Sequence, residues 1–136
     1  MHISAKIKNT QQHNDILVST EKSEKKVIIP GKPAGKGSSV NGGELLFLAL
    51  ATCFCNDIYR EAAKRNMDIQ SVEVVVNGQF GKEGEPGSNI TYEAKIEAPS
   101  CSPAEINELI LYVDKIAEIH NTLRKGVSVS LKSGAN

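Results

Sequence analysis

The run Leu45-Leu46-Phe47-Leu48-Ala49-Leu50-Ala51-Thr52-Cys53-Phe54-Cys55 is apolar at almost every position; it follows a glycine-rich stretch and is closed by Asn56-Asp57. A helix with no polar face must be covered on more than one side, so this segment predicts the buried central helix of a domain. Its eleven residues are too few to span a bilayer. A thiol inside such a helix is either inert packing or the reactive atom of a site, and function therefore turns on Cys53.

A chain of 136 residues, 40% of them apolar, predicts one domain over residues 1–136 with a single core. Sixteen basic residues cancel sixteen acidic ones and aromatics are 4% of the chain, which argues against a phosphate-tracking surface or a base-stacking platform; no nucleic-acid partner is expected. The N-terminal Met1-His2-Ile3-Ser4-Ala5-Lys6-Ile7-Lys8 alternates like a strand and lacks the apolar core of a signal peptide, so a cytoplasmic protein without membrane contact is expected. Three cysteines without CxxC spacing argue against a disulfide framework and a structural zinc site; reduced thiols, no metal and no cofactor are expected.

Three short strands are predicted first, at residues 2–8, 15–20 and 25–30, the last two joined by Glu21-Lys22-Ser23-Glu24. Gly31 to Gly43 reads as a loop, and Asn41 with Glu44 as a capping box opening a helix that runs to about Asn66. The second half of that helix sets Ile58, Tyr59, Ala62 and Ala63 against Arg60, Glu61, Lys64 and Arg65, so it emerges toward solvent. Val72, Val74 and Val76, then Tyr92, Ala94, Ile96 and Ala98, mark two alternating strands joined by a link, Gly81 to Ser88, that composition marks as mobile. Ser102-Pro103-Ala104-Glu105 caps a second helix with the stripe Ile106, Leu109, Ile110, Val113, Ile116 and Ala117, which His120 continues. Gly126 ends it, and Val127, Val129 and Leu131 alternate as a last strand. The predicted order is β-β-β-α-β-β-α-β.

Two segments carry a family resemblance. Asn41-Gly42-Gly43-Glu44-Leu45-Leu46-Phe47-Leu48-Ala49-Leu50-Ala51-Thr52-Cys53 resembles the N-P-x-E-L-L-L-A-A-L-x-x-C segment of the OsmC/Ohr group of thiol-dependent hydroperoxide reductases, and Ile119-His120-Asn121-Thr122-Leu123-Arg124-Lys125-Gly126-Val127 resembles its C-P-V-S-x-T-L-x-x-G-V segment without the leading cysteine. The resemblance implies an α+β protomer with a buried central helix, an intertwined homodimer, and a role in oxidative stress. It implies a central-helix cysteine that attacks a hydroperoxide and becomes a sulfenic acid, which a second cysteine resolves. Here Ala117 occupies the position of that second cysteine, Gly43 stands where the organic-hydroperoxide branch has a glutamate, and the first arginine is Arg60, with Lys22 the nearest basic residue in the N-terminal hairpins. A two-cysteine cycle is thereby excluded, and an external thiol has to regenerate Cys53.

A peroxidatic cysteine must be a thiolate, and burial opposes that. Cys53 lies about three turns into its helix, beyond the reach of that helix's dipole. Asp57, four residues on, would make ionisation harder, and Arg60, seven on, easier. The candidate site is thus Cys53 as nucleophile with His120, Glu44 and Arg60 in support. Each has a plainer explanation: Cys53 as core packing, Glu44 as the N3 residue of a capping box, His120 as a residue favoured by a helix C-terminus, and Arg60 and Lys22 as solvated charges. Cys55 points about 200° away from Cys53 on an ideal helix, against disulfide geometry, and Cys101 in its loop is given no role.

Gly31-Lys32-Pro33-Ala34-Gly35-Lys36-Gly37-Ser38 imitates a phosphate-binding loop, but three residues rather than four separate Gly31 from Gly35, and Gly37 stands where a Ser or Thr is required. Two functions remain: a one-cysteine peroxidase acting on an organic hydroperoxide, or a non-catalytic dimer whose interface cleft binds a small hydrophobic or thiol ligand.

Overall fold

The computed structural model describes residues 1–132. The chain divides into two compact units, Met1–Leu45 and the part that begins at Leu46.

In the first unit β1 (Ile3–Thr10), β2 (His13–Thr20) and β3 (Ser23–Lys26) form the expected antiparallel meander in the order β1-β2-β3. Its hairpins turn in two residues, with Gln11 and Glu21 each at φ 53°. The third strand stops at Lys26 rather than Pro30. Beyond it the Asn14 side-chain amide donates to the Ile29 carbonyl at 3.0 Å and to Ser38 Oγ at 2.8 Å, replacing a backbone ladder, and Pro30 has no N–H to offer. The glycine-rich loop folds on itself. Lys32 N donates to Gly37 O, Gly37 N to Asn9 Oδ1 and Ser39 N to Pro30 O, so these N–H groups are engaged within the unit. Gly31 lies against the Gln12 backbone so closely that a Cβ would fall 2.2 Å from its carbonyl oxygen.

The long helix α1 (Gly42–Lys64) opens as its sequence predicts: Glu44 N donates to Asn41 Oδ1 at 2.8 Å, and Asn41 N to Glu44 Oε1 at 3.1 Å. In the second unit it packs on α2 (Pro103–Ile116) and on the antiparallel pair β4 (Ser71–Phe80) and β5 (Gly87–Glu97). Phe54, Ile58, Leu109 and Val113 are fully buried, and Ala62 and Ala117 complete the core. The inward residues of the strands, Val72, Val74, Tyr92, Ala94 and Ile96, pack against it, which is the two-residue alternation at work. Phe54 meets the Tyr92 ring edge-on at 4.9 Å. A bulge between Asn77 and Gln79 places Gly78 where a Cβ would lie 2.5 Å from the Phe47 ring.

Three expectations are corrected. The chain buries one stripe of α1, Leu50, Phe54, Asp57, Ile58, Glu61 and Ala62, while Leu48 stays 60% exposed, so the apolar run is not covered on all sides within the described residues. The second helix breaks at Ala117, whose ψ of 106° is extended, and a separate helix α3 (Glu118–Lys125) follows. Asn121 secures the break by donating from its side chain to the Lys115 carbonyl, one of the acceptors left free at the end of α2. The last strand does not form. Gly126, at φ 62°, ends α3, and Val127, Val129 and Leu131 run on 59, 97 and 93% exposed; a strand is made by a hydrogen-bonded neighbour, and among the described residues this segment has none. Among the described residues the architecture is α+β, with two antiparallel sheets and three helices.

Candidate functional site

Cys53 is half-buried on α1, and its Sγ donates to Asp57 Oδ2 at 3.7 Å, one helical turn on. Asp57 is only 4% exposed, and a carboxylate that deep needs a partner. Arg60 supplies it: Nη1 lies 2.9 Å from Asp57 Oδ1, while Nε donates to Glu61 Oε1 at 3.1 Å. Lys64 Nζ reaches the same Glu61 oxygen at 2.9 Å, so two buried carboxylates and two basic residues form a ladder down one side of α1. Asp57–Arg60 and Glu61–Lys64 stand at the i, i+3 spacing of a helix face, and Arg60–Glu61 links the two pairs through sequence neighbours.

The break at Ala117 brings the first turn of α3 to this thiol. The Ile119 backbone N–H favours ionisation of the sulfur, as does the positive end of any helix dipole. Glu118 works against it: the ligand-type atoms of Cys53, Asp57 and Glu118 all lie within 4.8 Å of one another. Burial pushes the Cys53 thiol up, the Ile119 N–H pulls it down, and the charges of Asp57 and Glu118 push it up again, with a net upward shift. Burial likewise raises Asp57, against the pull of Arg60. Cys53, Asp57 and Glu118 are also the described residues spaced to hold a metal ion, although Arg60 already neutralises Asp57.

His120 lies elsewhere. It occupies the first turn of α3 rather than a C-terminus, 4% exposed, with its ring 4.5 Å from that of Tyr92 and 5.8 Å from that of Phe54. Neither ring nitrogen has a hydrogen-bond partner among the described residues, and burial followed by the charge of Arg124 lowers its pKa. Asp57, Glu118 and the Ile119 N–H act on Cys53; His120 is not among them. Glu44 is engaged in the capping box. Arg60 is not a free solvated charge, since it joins Asp57 to Glu61. Cys55 and Cys101 are free thiols, and Cys55 borders a shallow groove with Ala51, Thr52, Asn56 and Val74.

A polar cluster not foreseen from the sequence stands beside His120. Tyr92 Oη donates to Asp114 Oδ1, which also accepts from Arg124 Nη2 at 2.6 Å, and Arg124 Nη1 donates to the Asp114 carbonyl at 3.0 Å. Burial and the Asp114 charge push the Tyr92 phenol up to about 12, and the bonds from Tyr92 and Arg124 hold Asp114 below its ordinary value. Leu50, Ile90, Tyr92, His120, Leu123 and Arg124 line a half-open cavity of about 110 Å³. Glu118 was likewise missed. The signal for it is non-local, because it reaches the thiol only once α2 has broken at Ala117.

These features define a class, an α+β protein in which a half-buried cysteine of a long helix faces a carboxylate of its own helix and the first turn of another. The chain belongs to the OsmC family, whose OsmC-like protein description matches residues 35–132. No curated protein is similar to it in sequence at a significant level. Among solved structures it resembles an OsmC-like protein from Mycoplasma pneumoniae, with a TM-score of 0.60 at 21% identity over 91% of this chain and 89% of that one. An organic hydroperoxide resistance protein from Legionella pneumophila matches with a TM-score of 0.58 at 15% identity over 96% and 95%. The organic hydroperoxide resistance protein OhrB of Bacillus subtilis matches with 0.54 at 14% over 97% of each chain. At such identities the likeness establishes the fold. No helix among the described residues is long and apolar enough to cross a membrane.

Proposed function

We propose that this protein is a one-cysteine peroxidase that reduces organic hydroperoxides through Cys53 and serves in the response to oxidative stress. The observation that carries the reading is the environment of the sulfur: half-exposed, with the Ile119 N–H favouring its ionisation, and separated from a cation by a single carboxylate. A thiol meant only for packing has no use for an N–H donor or a charged neighbour. Family membership and the hydroperoxide resistance proteins that share the fold support the same chemistry. With Ala117 where a resolving cysteine would stand and Cys55 a free thiol, the sulfenic acid is reduced by an external thiol, in a reducing compartment such as the cytoplasm. The working form is a homodimer. Support comes from exposed apolar side chains on α1 (Leu48) and along the unpaired stretch Val127, Val129 and Leu131, which a second copy would cover.

The test is one equivalent of an organic hydroperoxide followed by a dione probe for sulfenic acid, with the adduct mapped by mass. Labelling confined to Cys53 and faster than that of a free thiol is expected. Labelling of Cys53 no faster than that of Cys101 rejects the peroxidase.

A second reading, a non-catalytic protein binding a small hydrophobic or thiol ligand, is favoured by the raised Cys53 thiol together with the mostly apolar cavity beside His120. The same labelling experiment decides between them.

A further inference from the structure

We propose that Asp57 handles the proton of the Cys53 reaction: Oδ2 takes the thiol proton as the thiolate forms and returns it to the alkoxide that departs when the peroxide O–O bond breaks. This rests on the peroxidase reading and extends it to a residue that reading leaves without a role. Asp57 is the side chain to which Cys53 Sγ donates, at 3.7 Å, and its other oxygen is held by Arg60 at 2.9 Å. The carboxylate is therefore oriented before any substrate arrives, as a proton carrier has to be. The charged groups that act on it are Arg60 and Glu61 from α1 and Glu118 from α3.

The step balances as follows. The S–H bond breaks and its proton goes to Asp57; the thiolate forms an S–O bond to the terminal peroxide oxygen. The O–O bond breaks and its electron pair leaves on the alkoxide, which takes the proton from Asp57. Sulfur is oxidised to a sulfenic acid and the hydroperoxide is reduced to an alcohol. Two equivalents of an external thiol then restore Cys53, releasing water and a disulfide.

The experiment compares two reactions of Cys53 in a protein carrying Cys55→Ser and Cys101→Ser. Alkylation by iodoacetamide needs only a thiolate, whereas hydroperoxide reduction also needs a proton for the leaving group. Asp57→Asn removes a negative charge beside the sulfur, so alkylation at neutral pH is expected to hold or accelerate, while hydroperoxide reduction slows by about 100-fold, the lower end of what a positioned proton donor contributes. A peroxide rate within about threefold of the parent, or both reactions slowing together, overturns the proposal. If Asp57→Asn does not fold, the parent protein decides: with a proton donor in place the rate depends weakly on the acidity of the departing alcohol across a hydroperoxide series, and a steep dependence overturns it. An unmutated Cys53 that does not react with hydroperoxide at all overturns the peroxidase reading itself, a failure visible before any Asp57 variant is made.

Discussion

Arg60 meets Asp57 across 2.9 Å, on the carboxylate oxygen opposite the one that faces Cys53. The guanidinium therefore acts on the thiol through an intervening carboxylate instead of pairing with the sulfur directly. A direct Arg–thiolate pair lowers a thiol pKa outright; here the cation is spent on keeping Asp57 ionised in a buried position, and the thiol is left raised. The site thus depends on small additional influences, each of which can be altered alone.

Glu118 is the simplest of these to remove. Its charge opposes the Cys53 thiolate, so Glu118→Gln is expected to lower the thiol pKa and speed iodoacetamide alkylation at neutral pH by about 2- to 10-fold. The pH dependence of alkylation, followed by mass, checks the sign: the midpoint moves down. A midpoint that rises, or does not move, removes Glu118 from the site.

Ala117 is fully buried and stands at the N-cap of α3, two residues before the N–H that favours ionisation of Cys53. Ala117→Cys places a second thiol at that turn, and hydroperoxide treatment is expected to convert it to an intramolecular Cys53 disulfide, seen as loss of two free thiols. Because the site is packed, the substitution costs roughly 1 kcal/mol of stability. Cys53 remaining as sulfenic acid under these conditions means that the turn holds the two sulfurs apart.

His120 is buried and its folded pKa lies below the ordinary 6.5, with burial and Arg124 as the causes and Asp114 opposing them. As pH falls, the unfolded chain therefore binds a proton before the folded one. The stability present above pH 6.5 is lost as pH drops toward the folded pKa and levels off below it. Thermal unfolding across that range is expected to show a falling Tm that is flattened in His120→Leu. An unchanged slope in that variant assigns the acid sensitivity to other groups.

Two variants separate core from cap. Phe54 is fully buried between α2 and β5, and Phe54→Ala is expected to cost about 3–5 kcal/mol in chemical denaturation. Ser102 Oγ accepts from Glu105 N at 3.2 Å while Ser102 N donates to Glu105 Oε2 at 2.7 Å, and Ser102→Ala is expected to cost about 1 kcal/mol. Equal costs for the two would place the stability of this unit in local helix structure rather than in its core.

Much of the scaffold is legible because its signals are local. The capping boxes at Asn41 and Ser102 name their helix starts, and the alternation of Val72, Val74, Tyr92, Ala94 and Ile96 identifies the inward face of the sheet. The break at Ala117 carries no such mark: alanine is the best of helix formers, and the apolar stripe continues through it. Nor does the string of residues reveal that Val127, Val129 and Leu131 lack a neighbour among the described residues, since alternation reports a capacity for pairing and not a partner. Cys53 and Asp57 are found together from spacing alone, because four residues on a helix is a contact; Glu118 and the Ile119 N–H are not, because only the turn after α2 carries them there.

The amino-acid sequence by itself determined the family, the α+β class and the order of its elements as far as α2, and it singled out the cysteine on which the proposed function turns, since each is written in patterns a few residues long. Tertiary structure decided which groups surround that cysteine: a carboxylate anchored by Arg60, an opposing glutamate and a backbone donor from a second helix, with His120 drawn off between two aromatic rings. The physical reason is range. Helix and strand periodicities are set between near neighbours, whereas the ionisation of a thiol answers to every charge and dipole that folding brings within a few ångströms, whatever its distance along the chain.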